Sequence, residues 1–166
     1  KFELPGLEVN ECSDEKTAET LRAILLACHR QNPGFPVGNH GLDILTRNDF
    51  PRAWGLGTSS TLIAALAKWA NVDPYRVLFD TMGGSGYDLA CAYAEGPLLY
   101  RLRGHAPEVQ AVAFRPPFLD SLYFVYLGQK QDSREGIRRY RERAGSDKGL
   151  SKRITELSTR FLVAAN

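Results

Sequence analysis

The chain has 166 residues, 43% of them hydrophobic and 24% charged, with a net charge of +2 at pH 7. That length suits one ordinary domain or pieces of two small ones, and the balance is that of a globular chain, not a disordered one. No apolar run approaches the roughly 18 residues of a membrane span. No signal peptide opens the sequence, and so small a net charge does not by itself argue for nucleic acid.

A cytoplasmic protein with neither membrane nor nucleic acid as partner is therefore expected. The three cysteines, Cys12, Cys28 and Cys91, form no CxxC pair, so neither a disulfide framework nor a zinc site is expected. His29, His40 and His105 are scattered without ligand spacing. Lys1-Phe2-Glu3-Leu4 reads as the tail of a strand in progress, and residues 161–166 stop inside a helical pattern. The chain thus reads as the middle of a longer protein.

In chain order, residues 2–10 read as extended. Ser13 or Asp14 then opens a helix whose apolar positions Leu21, Ile24, Leu25 and Cys28 follow an i, i+3, i+4, i+7 stripe. Gln31-Asn32-Pro33-Gly34 ends it. A polar loop through Gly38-Asn39-His40-Gly41 leads to a short predicted strand at residues 42–46. Next comes a turn over residues 51–61, which runs into a helix to about Ala70 with Leu62, Leu66 and Trp69 on one side. Asp73 can cap a further helix with Pro74 at its first position, running Pro74–Thr81.

A glycine turn at residues 83–86 leads to a small helix over residues 88–94. Beyond Glu95-Gly96 the pattern becomes strand-like, with strands predicted at Leu98–Arg103, residues 109–114 and residues 122–127. A connection over residues 128–131 leads to a helix capped by Ser133 and running to Ala144. A last helix covers residues 150–165. Basic residues gather between Lys130 and Arg153, interleaved with acids, as on a solvated helix face. Helices and strands mix without a βαβ rhythm, so the fold class is α+β. Gly104 and Pro107 punctuate a boundary between one domain over residues 1–105 and another over residues 106–166.

Two glycine stretches carry the chemistry. In Gly55-Leu56-Gly57-Thr58-Ser59-Ser60 the glycines let backbone turn tightly and approach a ligand. Thr58, Ser59 and Ser60 stand where a helix begins and can cap it. A helix start with outward N–H groups suits phosphate, although a turn with an N-cap would give the same pattern. The second stretch is Gly83-Gly84-Ser85-Gly86-Tyr87-Asp88. Asp88 is either an N-cap carboxylate or a base held near transferred phosphate. A Walker A loop is excluded because no lysine follows the glycines. Ser60 stands where the dinucleotide fingerprint needs its third glycine, and Tyr87 stands where a nucleophile elbow needs its last one.

Together the stretches resemble a family. Pro51-Arg52-Ala53-Trp54-Gly55-Leu56-Gly57-Thr58-Ser59-Ser60 is similar to the PxxxGLGSS motif of the GHMP kinases, named for galactokinase, homoserine kinase, mevalonate kinase and phosphomevalonate kinase. Gly84-Ser85-Gly86-Tyr87-Asp88 is similar to their SGxD segment. Leu98-Leu99-Tyr100-Arg101 resembles the strand that follows it. The wording of the whole chain, including residues 123–134, most resembles bacterial mevalonate-kinase-like proteins.

The resemblance implies an incomplete N-terminal ATP-binding domain of the ribosomal protein S5 domain 2-like type and the start of a ferredoxin-like C-terminal domain. It implies ATP and Mg²⁺ as cofactors, and transfer of the γ-phosphoryl group to a hydroxyl of a small, mevalonate-like acidic alcohol. Gly55, Leu56, Gly57, Thr58, Ser59 and Ser60 would wrap the ATP phosphates, with Thr58 or Ser59 near Mg²⁺ and Asp80 the nearest candidate for an acidic ligand. Asp88 would be the catalytic base. Ser85, Lys130, Ser133 and Arg134 would bind the acceptor, and a homodimer is compatible with this reading. The family's first motif and its glycine-rich third motif have no counterpart here, so the chain as it stands is expected to be inactive. Two alternatives stay open: a diphosphomevalonate decarboxylase of the same superfamily, and a non-catalytic nucleotide-binding member.

Overall fold

The computed structural model describes residues 1–4, 6–36, 42–129, 133–144 and 148–164. It divides into two units, one of residues 1–47, 57–95 and 100–110, the other of residues 48–56, 96–99 and 111–166.

The first unit holds the buried core. Strands β1 (Phe2–Glu3) and β2 (Glu8–Val9) form a short antiparallel hairpin with Phe2 opposite Val9. Leu7, in the hairpin turn, takes a left-handed backbone (φ 58°) and is buried. Its carbonyl accepts from Arg22 Nε at 2.7 Å, tying the hairpin to helix α1 (Glu15–Gln31). The start of α1 is set locally, because the Asp14 carboxylate accepts from the Thr17 N–H at 2.6 Å. Ile24, Leu25 and Cys28 of the predicted stripe are buried, and Leu21 packs against them.

Helix α2 (Thr58–Ala70) follows, then α3 (Pro74–Thr81), capped by Asp73 with Pro74 in the first turn as the sequence predicts. The Asp73 carboxylate accepts from Tyr75 N at 2.8 Å. Helix α4 (Tyr87–Tyr93) completes the group. Helix α1 packs on α2 and α3, and α2 packs on α3 and α4. The buried side of α2 is Ile63, Ala64, Leu66, Ala67 and Ala70; of the predicted Leu62, Leu66 and Trp69, Leu66 lies in this core and Leu62 packs against it, while Trp69 does not join it. Trp69 stays 43% exposed, its ring edge-to-face with Phe35 at 4.7 Å. The ends of α1 and α2 are stitched by polar side chains: Asn32 Nδ2 donates to the Ala70 carbonyl at 2.7 Å, and Asp73 N donates to Gln31 Oε1 at 3.2 Å.

Strands β3 (Leu98–Arg103) and β4 (Ala106–Ala111) pair as a hairpin around Gly104-His105. Gly104 supplies the positive φ (63°) that the tight turn needs. β4 begins earlier than the predicted span, because so short a turn puts Ala106 already in register.

Two predicted strands are absent among the described residues. Residues 42–46 are irregular and exposed. Residues 122–127 form no strand either, with Tyr123 84% exposed and Phe124 wholly so. Their unbroken apolar run suits a strand covered on both faces, and among the described residues no strand pairs with it.

In the second unit, helices α5 (Ser133–Ala144) and α6 (Lys148–Ala164) are present, α6 starting two residues before its predicted span. Phe161 of α6 packs against Phe114 and Phe118 at 5.5 and 6.2 Å. On α5, Glu135 pairs with Arg138 and Arg139 at 2.7 and 2.8 Å, and Glu142 pairs with Arg138 at 2.6 Å. These exposed pairs, one turn apart, are what a solvated helix face makes of interleaved charges.

Candidate active site

A 3-10 turn at Arg52–Trp54 ends on Gly55, whose φ of 73° and ψ of 24° are left-handed. Gly57 repeats that conformation at φ 77° and ψ 20°, and α2 starts at the next residue. Two left-handed residues so close are readily accessible only to glycine, which is why this stretch is written with two.

The first helical bond of α2 runs from Thr61 N to the Gly57 carbonyl at 3.1 Å. The N–H groups of Thr58, Ser59 and Ser60 therefore lie ahead of the intrahelical ladder. The expected hydroxyl cap is not made. The N-cap is Gly57, and no side chain caps it. The reason is positional: the hydroxyls fall one to three residues inside the helix, past the cap. Where a Cβ on Gly57 would stand, nothing lies within 4 Å. Exposed amides, the positive end of the helix dipole and open space together fit a phosphate group. The hydroxyls of Thr58, Ser59 and Ser60 on half-buried residues add oxygen chemistry of the kind Mg²⁺ accepts.

The second stretch is built alike. Gly83, Gly84 and Gly86 all have positive φ (65°, 103° and 81°). Gly86 is the N-cap of α4, again without a side-chain cap, and Ala90 N donates to the Gly86 carbonyl at 3.0 Å. Asp88 sits in the first turn of α4 and is exposed. It is thus not the N-cap, which removes the structural reading that the sequence left open for it. Its negative charge is the main cause that raises the Tyr87 hydroxyl above the ordinary tyrosine range.

Gly86, unlike Gly57, is buried. A Cβ there would meet the Tyr100 hydroxyl at 3.0 Å and the Tyr75 ring at 3.3 Å. The Tyr100 hydroxyl also donates to the Ser85 carbonyl. Sequence reasoning missed both tyrosines as parts of the site, since nothing in their local pattern points to a turn so far along the chain.

Helices α2 and α4 pack directly, and the Tyr93 hydroxyl donates to the Ala64 carbonyl at 2.9 Å. The two glycine-capped helix starts therefore belong to neighbouring helices of one unit. Ser85 is exposed on the turn before α4. Asp80, on α3, lies 3.7 Å from Arg30 of α1, with both side chains more than half exposed. Ser133 and Arg134 open α5 in the other unit, and Lys130 lies outside the described residues. His29 Nδ1 meets the Phe35 carbonyl and His105 packs on Phe79 at 5.2 Å. Among the described residues no three His, Cys, Asp or Glu side chains stand together as a metal cage.

Residues 18–73 match the family model described as the GHMP kinases N terminal domain. No curated protein and no solved structure matches the chain. The matched span begins in the first turns of α1 and includes Gly55 to Ser60; Asp88 lies beyond it. Over residues 18–73, about a third of the chain, the sequence is similar to the N-terminal domain of the GHMP kinases, which are ATP-dependent small-molecule kinases.

Proposed function

We propose that the chain carries the ATP-phosphate site and the catalytic base of a kinase that phosphorylates a hydroxyl of a small acidic alcohol, with mevalonate the favoured acceptor. The observation that carries this reading is the start of α2, where a left-handed glycine with open space beside it leaves three consecutive N–H groups free of the helix ladder. The family match over the same residues supports it.

On this reading the amides of Thr58, Ser59 and Ser60 would hold the ATP phosphates, and the hydroxyl of Thr58 or Ser59 would be the protein oxygen offered to the ion that travels with them. The chemistry that Mg²⁺ would supply, when bound with ATP, is neutralisation of phosphate charge. The acceptor oxygen attacks the γ-phosphorus in line, the bond from that phosphorus to the β-bridging oxygen breaks, and ADP leaves. The Asp88 carboxylate takes the proton of the acceptor hydroxyl. An exposed carboxylate in a first helical turn is accessible for that task without local unfolding. Ser85, Lys130, Ser133 and Arg134 are the residues we assign to the acceptor, cations being suited to its acidic group. Asp80 is the remaining acidic candidate beside the ion.

The test is phosphoryl transfer from ATP·Mg²⁺ to a panel of mevalonate-like alcohols by the full-length protein that contains this chain, wild type against Asp88→Asn. Transfer should fall by about 10²- to 10⁴-fold in the variant, with the ATP dissociation constant kept. Absence of ATP binding by the wild type would overturn the proposal at its root.

A further inference from the structure

The turn that delivers Asp88 is held from outside its own segment. Three glycines with positive φ make residues 83–86 a stretch that local backbone preference alone does not fix. Tyr100, on β3, reaches it from fourteen positions beyond Gly86. Its hydroxyl donates to the Ser85 carbonyl and stands 3.0 Å from the point where a Gly86 Cβ would lie. The Tyr75 ring stands 3.3 Å from the same point. Gly86 is thus packed against a strand residue and a helix residue, and it is the N-cap from which α4 and Asp88 project.

We propose that Tyr100 is a positioning residue for the phosphoryl-transfer step, its hydroxyl latching the Ser85-Gly86 turn so that the first turn of α4 presents Asp88 in one direction. The inference rests on the reading of Asp88 as the base. The latch acts through a carbonyl, so it needs only a hydroxyl that stays protonated. A tyrosine hydroxyl is protonated at neutral pH in any case, and burial raises that of Tyr100 further above the ordinary range. The ring of Tyr100 and the ring of Tyr75 supply packing; the hydroxyl alone supplies the hydrogen bond. Removing that hydroxyl separates the two roles.

The experiment uses the full-length protein that contains this chain and compares wild type, Tyr100→Phe, Asp88→Asn and the double variant. Amide hydrogen exchange is read for peptides spanning residues 83–89, and steady-state kinetics use ATP·Mg²⁺ with mevalonate and related alcohols as acceptors. In Tyr100→Phe, exchange across the turn should quicken by about fivefold or more with little change in melting temperature. The kcat should drop about tenfold while KM for ATP stays within about twofold. In the Asp88→Asn background the same change should bring no further loss, because the latch has nothing left to aim.

Unchanged exchange, an unchanged kcat, additive losses or a Tyr100→Phe protein that unfolds would each overturn the latch. A wild-type rate in Asp88→Asn, or no transfer by the wild type, would overturn the underlying reading of Asp88. Loss in Asp88→Asn beside a normal Tyr100→Phe would overturn the latch alone.

Discussion

Gly57 and Gly86 show one residue type serving two physical ends. Both have a positive φ and both cap a helix, yet Gly57 faces open space while Gly86 is packed against two tyrosines. Gly57→Ala meets no steric obstacle, so its cost is the left-handed backbone alone, about 1 to 2 kcal/mol. The backbone would relieve that strain by rotating, and the amides ahead of Thr61 would turn away from their present aim. Titration calorimetry should therefore find ATP binding weakened by about tenfold or more in Gly57→Ala, with melting lowered only modestly. Equal affinity in the two proteins would mean that the α2 start does not hold the phosphates. The glycines themselves were legible in the sequence, because their spacing states a backbone need. The Tyr100 hydroxyl was not: its partner, the Ser85 carbonyl, is brought to it only by folding.

At the scale of elements, what was legible divides by where the stabilising partners lie. Helix α3 was readable from end to end because Asp73 and Pro74 set its start within the segment. The stripe of α1 was readable because four apolar positions agree on one face. On α2 the sequence supports two faces at once. Leu62, Leu66 and Trp69 fit helical spacing, and so do Ile63, Leu66, Ala67 and Ala70. Packing chose the second, whose alanines let neighbouring helices approach closely. Ile63→Ala should accordingly cost about 3 kcal/mol in urea denaturation, while Leu62→Ala, on the shoulder of the core, should cost roughly half that. Reversal of the order would put the helix in a different rotation. Strands at residues 42–46 and 122–127 were misread for the converse reason. A strand exists only with a partner, and a β-rich run of residues does not state whether one is present.

For the whole molecule, the first unit concentrates the buried apolar residues and also titratable groups that burial penalises. Cys28 is fully buried on α1, and desolvation pushes its thiol from 9.0 to about 11. Burial likewise raises the hydroxyls of Tyr75, Tyr93 and Tyr100. The unfolded chain releases the Cys28 proton near pH 9, while the folded chain holds it to about pH 11. Between those values the unfolded state binds fewer protons, so stability is full below the window and declines as pH rises through it, by at most about 1.4 kcal/mol per pH unit from this thiol. Denaturation curves at pH 8 and pH 10.5 should show that loss, and Cys28→Ala should flatten it, leaving only the share of the tyrosines. A pH dependence identical in the two proteins would mean that the thiol is not desolvated.

The stitching of Gln31 and Asn32 to Ala70 and Asp73 has a consequence for how this chain can vary. Those contacts fasten the two ends of the stretch from the close of α1 to the close of α2. The connection inside it then resembles a tether fixed at both posts. Lengthening such a tether adds configurational entropy only logarithmically, about 0.6 kcal/mol for each doubling. The exposed residues around Leu45 are therefore a place where a chain of this kind can gain or lose length while α2, with the amides at its start, keeps its seat on α1.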